Sequence, residues 1–172
     1  MGRGRWVFAY GSLMWQPDIP HRRAVSAVLP GYHRALCVKS VVYRGTPDAP
    51  GLVLGLQRGG QCEGVALEVD DAAWEEVLSS LRQREQPNRV YVERWLPIQD
   101  RADGRLREAL AFVADTTHAQ YAGDLTEAET LDLLRTGRGS RGTAADYLTS
   151  TLAHLRALGI HDAALERVAS LI

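Results

Sequence analysis

Glycine and proline break the first two-thirds of this chain into short apolar runs, whereas the last third places its apolar residues at helical spacing. That division limits the folds available, because short runs between turn residues make strands and a 3.6-residue period makes helices. Trp6-Val-Phe-Ala-Tyr10 reads as a strand that ends in a tight loop at Gly11 and Ser12. Residues 24–29 and 35–40 read as strands on either side of Pro30-Gly31. Residues 52–57 and 64–69 flank Arg58-Gly59-Gly60-Gln61, which predicts a hairpin. Residues 90–98 alternate, and Asp103-Gly104 offers a turn before Ala109-Leu-Ala-Phe-Val113.

One helix interrupts the strands. Asp70 or Asp71 can cap it, Trp74, Val77, Leu78 and Leu81 share one face, and Pro87-Asn88 ends it. Thr126-Glu-Ala-Glu129 is a capping-box pattern for the next helix, with Leu131 and Leu134 inward and Gly137 closing it. A further helix is expected from about Thr143 to Gly159, and a short one from Asp162. Strands first and helices afterwards predict an α+β fold with a mostly antiparallel, curved or barrel-like sheet. No repeat or linker marks a boundary, so residues 1–172 are expected to form one domain.

The bulk properties exclude several functions. A formal net charge of −1 draws the chain to neither nucleic acid nor an anionic membrane surface. No apolar run approaches the roughly 20 residues needed to span a bilayer. Met1-Gly-Arg-Gly-Arg5 is followed only by the strand-like run and does not resemble a signal peptide, which predicts a cytoplasmic location. Cys37 and Cys62 are expected to be buried and neutral. The five histidines are scattered without a metal-ligand spacing, and no metal is expected. Trp15 and Trp95 are expected to cap the core, with an interface as the alternative.

Glu85 is the most informative residue. It continues the stripe of Leu78 and Leu81, where another apolar side chain would be expected. A carboxylate there is costly, and burial would raise its pKa toward the range a general acid/base needs. The alternative is a helix that frays after Leu81, leaving Glu85 solvated beside Arg82, Arg84 or Arg89. The Tyr10-Gly11-Ser12-Leu13 loop has the composition of an anion cradle, but lacks the signature of a phosphate loop or a nucleophile elbow. By itself it reads as an ordinary turn.

Taken in order, several segments resemble the ChaC-like gamma-glutamylcyclotransferases of the glutathione-specific type. They are Phe8-Ala-Tyr10-Gly-Ser-Leu-Met-Trp15, Pro30-Gly-Tyr-His-Arg34, Tyr43-Arg-Gly-Thr-Pro47 with Pro50-Gly51, Gly64-Val-Ala66, Leu81-Arg-Gln-Arg-Glu85, and Gly139-Ser-Arg-Gly142 with Asp146-Tyr-Leu148. The resemblance spans nearly the whole chain. It departs at Gln86, where the family often has Met, and at Ala144, where it usually has Asn.

The resemblance implies a gamma-glutamylcyclotransferase-like fold and a cofactor-free lyase acting on a small molecule. The α-amine of a γ-glutamyl compound would attack its own γ-carbonyl and release 5-oxoproline, with Glu85 as acid/base. Tyr10, Gly11, Ser12, Leu13, Ser40, Arg44 and Tyr147 would contact the substrate. Tyr147 is equally a packed residue of its helix, and Arg44 equally a surface charge. Glutathione is the expected substrate; γ-glutamyl amino acids or amines are the alternative, as is a binding module of the same fold without turnover. The oligomeric state stays open between a monomer and a weak dimer.

Overall fold

Apolar side chains on both faces of a short strand mean that it must be covered on both sides. β1 (Arg5–Ala9) meets that condition: Trp6, Val7, Phe8 and Ala9 are all buried. The structure is a computed structural model and describes residues 4–172. Residues 1–3, which open the segment read above for a leader, lie outside the described residues.

β1 is paired along both edges. It runs antiparallel to β3 (Gly51–Val69), with Arg5 opposite Val69 and Ala9 opposite Val65. It runs parallel to β5 (Leu106–Ala114), with Trp6 opposite Ala109 and Val7 opposite Leu110. β2 (Arg23–Ser40) and β4 (Tyr91–Asp100) complete a closed barrel in the order β1-β3-β2-β4-β5. Ala27 of β2 lies opposite Asp100 of β4. Among the described residues, closure leaves the five barrel strands without a free edge. The fold is thus α+β with a barrel-like, mostly antiparallel sheet, as the residue patterns predict.

Two local expectations are corrected. Pro30-Gly31 does not separate two strands, and Arg58-Gly59-Gly60-Gln61 does not form a hairpin; both lie inside single long strands. Gly31 has φ +83, and Gly59 and Gly60 have φ +107 and +62. Glycine here kinks a strand as a bulge does and leaves the chain direction unreversed. The kinks are neighbours, since His33 Nδ1 lies 3.0 Å from the Gly59 carbonyl oxygen. A Gly-Gly pair reads the same in sequence whether it turns or kinks a strand.

The described residues form two compact units, 4–34 with 56–113, and 35–55 with 114–172; β2 and β3 contribute to both. In the first, Phe8, Leu29, Leu56, Leu67, Leu81, Ile98 and Leu110 are fully buried. Each such side chain stabilises by about 1.5–3 kcal/mol relative to exposure. α1 (Trp74–Glu85) packs Trp74, Val77 and Leu81 inward. Trp95 is 45% exposed and lies 5.5 Å, centroid to centroid, from Trp74, so it covers the core from outside rather than joining it.

In the second unit, α2 (Glu127–Thr136) carries the predicted capping box, with Thr126 and Glu129 bonding reciprocally. A two-strand hairpin, β6 (Arg138–Gly139) and β7 (Gly142–Thr143), leads into α3 (Ala144–Ala157), which Thr143 caps. α4 (Ala163–Ala169) is capped by Asp162. Leu134, Leu148 and Leu155 are fully buried. On α3 the Thr151 hydroxyl is buried and has no hydrogen-bond partner among the described residues. Thr151→Val keeps the shape and removes the unsatisfied oxygen, so it should raise unfolding stability by about 1 kcal/mol. A urea midpoint at or below the wild-type value would refute that account.

Candidate active site

The chain leaves β1 through Tyr10, whose buried hydroxyl donates to the Phe112 carbonyl at 3.0 Å. A 3-10 turn follows over Ser12–Met14, with Leu13 and Met14 buried. Met14 N–H donates to the Gly11 carbonyl at 2.9 Å, and Gln16 N–H to the Ser12 carbonyl at 2.8 Å. The N–H groups of Ser12 and Leu13 precede the first bond of the turn and are the donors that any helical start leaves for an outside acceptor.

Arg34 fixes the root of this turn. It is buried on β2, and its Nε donates to the Tyr10 carbonyl at 2.6 Å while Nη2 donates to the Glu63 carbonyl at 2.6 Å. In a planar trans peptide the N–H points opposite to the C=O, so holding the Tyr10 carbonyl also sets the direction of the Gly11 N–H.

Glu85 is the last residue of α1, one turn beyond the fully buried Leu81. The helix therefore does not fray after Leu81, and the solvated alternative is set aside. Arg82 pairs with Glu93 instead. The Glu85 side chain keeps 21% of its surface exposed. Burial pushes its pKa above the ordinary glutamate range, and the Arg84 guanidinium, with Nε 3.3 Å from Glu85 Oε1, pulls the other way. Arg84 also reaches the N-terminal turn: Nη2 donates to Ser12 Oγ at 2.8 Å and Nη1 to the Gln16 carbonyl. The general-base candidate and the anion-cradle candidate are thus joined through one side chain. Gln86, at the departure from the family pattern, donates to the Tyr91 carbonyl at 3.2 Å and secures the start of β4.

The expected contacts Ser40, Arg44 and Tyr147 lie in the second unit and form a cluster of their own. Ser40 is buried, and its Oγ accepts the Arg44 N–H at 3.0 Å. The Arg44 guanidinium sits 5.6 Å from the Tyr147 ring centroid and donates to the Thr143 carbonyl at 3.3 Å. Tyr147 Oη accepts the Leu54 N–H at 3.2 Å. The adjoining loop is bound to the hairpin, with Ser140 N–H on the Val42 carbonyl and Arg141 N–H on the Tyr43 carbonyl. Glycine makes this approach possible: a Cβ on Gly139 would lie 2.4 Å from the Val42 carbonyl oxygen. Ala144 is fully buried beside Gly51.

Arg34 is not among the residues the sequence marks for the site, and Arg84 enters there only as a neighbour of Glu85. Arg34 does share inward parity with the buried Tyr32 on β2, which is the signal that would have found it. Among the described residues, no three His, Cys, Asp or Glu side chains are grouped so as to hold a metal ion. Cys37 and Cys62 are buried free thiols, and burial pushes the Cys37 pKa up to about 12. No helix among the described residues is long and apolar enough to cross a membrane.

The first unit thus sets a turn with N–H donors at its start beside a carboxyl whose pKa burial raises, joined through Arg84. The family model for ChaC-like proteins matches residues 5–172, and the chain belongs to that family. It is 36% identical over 157 residues to the glutathione-specific gamma-glutamylcyclotransferase of Escherichia coli strain K12, covering 91% of this chain and 68% of that protein. It is 30% identical over 146 residues to glutathione-specific gamma-glutamylcyclotransferase 1 of Danio rerio, covering 83% and 74% of the two chains. The crystal structure of the yeast gamma-glutamyl cyclotransferase specific to glutathione superposes with a TM-score of 0.87 at 20% identity, covering 98% of this chain and 95% of that one.

The raised pKa of Glu85 has a consequence for stability. Between the unfolded and folded pKa values the folded protein binds more protons, so stability falls as pH rises through that window. Glu85→Gln should therefore melt at a higher temperature than wild type at pH 7. The advantage should shrink as pH falls toward about 4, the ordinary glutamate range. Equal melting temperatures at pH 7 would show that the carboxylate is not a destabilising charge.

Proposed function

We propose that this chain is a glutathione-specific gamma-glutamylcyclotransferase that converts glutathione to 5-oxoproline and Cys-Gly, with Glu85 as its acid/base. One observation carries the assignment of Glu85: it stands in a leucine's place at the end of α1, with burial raising its pKa. The reaction needs no protein nucleophile. The glutamyl α-amine attacks the γ-carbonyl carbon of its own molecule, so the enzyme's task is to hold a folded conformer and to move one proton. The α-ammonium first gives one proton to solvent, and Glu85 takes a second from the attacking nitrogen as the new C–N bond closes a five-membered ring. The original amide C–N bond then breaks, and Glu85 returns the proton to the leaving amine of Cys-Gly. A carboxyl with a pKa nearer neutrality than usual can perform both transfers.

The 3-10 turn after Tyr10 supplies the N–H donors for the negative oxygen of the substrate, with Tyr10 and Arg34 setting its direction. Gly11 allows close approach there, Ser12 binds Arg84, and Leu13 anchors the turn in the core. Ser40, Arg44 and Tyr147 hold the loop of their own unit in place through their mutual bonds. The free buried thiols suit the reducing cytoplasm, where we place the activity.

The test is incubation of the purified chain with glutathione and, separately, with γ-glutamyl-alanine, followed by mass-spectrometric detection of 5-oxoproline. Product from glutathione, reduced at least about a hundredfold in Glu85→Gln, is the expected result. Product from γ-glutamyl-alanine alone would change the substrate and keep the mechanism. Glutathione bound without release of Cys-Gly would make the protein a binding module.

A further inference from the structure

Arg84 makes more contacts across the site than its position on a helix surface requires. Its guanidinium meets three kinds of group from two segments: Ser12 Oγ at 2.8 Å, the Gln16 and Pro17 carbonyl oxygens, and Glu85 Oε1 at 3.3 Å. Asp18 Oδ2 stands 3.7 Å from Nη1, on the side of the segment that follows the turn. Only a planar, forked donor set can serve such divergent acceptors simultaneously. The neighbouring Arg82 on the same helix is turned away to Glu93, and the charge acting on Glu85 is that of Arg84.

We infer that Arg84 is the positioning residue of the reaction, holding the Ser12 turn and the Glu85 carboxylate at a fixed separation while setting the charge balance at the base. This inference rests on the cyclotransferase reading of the same site. A carboxylate on a helix's last residue has a loosely held backbone beneath it, because the last turn of a helix lacks its own continuing bonds. A second tether is needed to aim it, and Arg84 supplies that tether to a turn rooted in the barrel. A carboxylate driven up by burial also needs a nearby positive charge to remain a usable base near neutral pH.

Asp18 is 83% exposed at its side chain and acts on the outer side of Arg84, where solvent screens it. The effect on Glu85 is therefore assigned to Arg84 itself.

The experiment compares wild type with Arg84→Gln and Arg84→Lys in the full chain, with two independent readouts. One is a carbon-13 titration of the Glu85 side-chain carboxyl, which needs no activity. The other is the acidic limb of the pH profile of kcat/KM for 5-oxoproline release. In Arg84→Gln both should move to higher pH by about one unit, since the opposing positive charge is gone. In Arg84→Lys the titration should stay near wild type while KM rises by about tenfold, because an ammonium keeps the charge but cannot hold all three groups.

A Glu85 titration unmoved in Arg84→Gln overturns the electrostatic role. A wild-type KM in Arg84→Lys overturns the tethering role, and this arm stands even where the Gln variant does not fold. A shifted titration in a chain that releases no product from any γ-glutamyl compound supports the Arg84–Glu85 coupling and refutes the cyclotransferase reading.

Discussion

The site depends on the double pairing of β1. A strand of five residues makes few hydrogen bonds, yet this one is held antiparallel on one edge and parallel on the other, with its side chains buried on both faces. It has no freedom to slip, because a shift of one residue would exchange the faces of every side chain it carries. Tyr10 therefore leaves the barrel in a set direction. Its own hydroxyl on Phe112 and the Arg34 bond to its carbonyl remove what rotation remains. A turn rooted in such a way keeps the N–H donors at its start in a fixed direction.

Against this rigid turn stands a group placed at an energetic cost. Glu85 occupies the next position in a stripe whose preceding members, Val77 and Leu81, are fully buried. An apolar residue there would serve the core better, and the carboxylate is tolerated only because one-fifth of its surface still meets water and Arg84 lies beside it. Stability is given up locally to keep a carboxyl whose pKa burial raises, a trade common at sites that do chemistry. The Arg84 contact is partly exposed, so its importance lies in aim and charge balance more than in stability.

The second unit follows a different principle, close approach of backbone to backbone. The loop after β2 lies so near the β6–β7 hairpin that side chains are absent at the meeting points: a Cβ on Gly51 would lie 2.1 Å from the Arg44 carbonyl oxygen, and one on Gly137 2.4 Å from Gly51 Cα. What appears in sequence as an Arg-Gly-Thr-Pro motif and a later glycine-rich stretch is thus one packed contact seen twice. Ser40, Arg44 and Tyr147 lock it through hydroxyl, guanidinium and ring.

The local chemistry of the chain was legible without coordinates wherever a residue's role depends on its near neighbours. The capping box at Thr126 and Glu129, the helical stripe from Trp74 to Leu81 and the α+β division all follow from short-range periodicity, and each stands in the structure. Glu85 was conspicuous because it breaks a pattern of that kind. Distant contacts decided the rest. Whether Gly31 and Gly59-Gly60 would turn or merely kink depended on β2 and β3 finding each other as long partners, which no local signal encodes. Arg84 looks like any surface arginine until the fold brings Ser12 beside it, and Arg34 shows only its parity with Tyr32 until the Tyr10 carbonyl meets it. The sequence by itself determined which segments are extended or helical, and it marked Glu85 as the carboxylate that breaks an apolar stripe. Only the tertiary structure decided which cations attend it, because charge interactions act through space between segments that the chain keeps far apart.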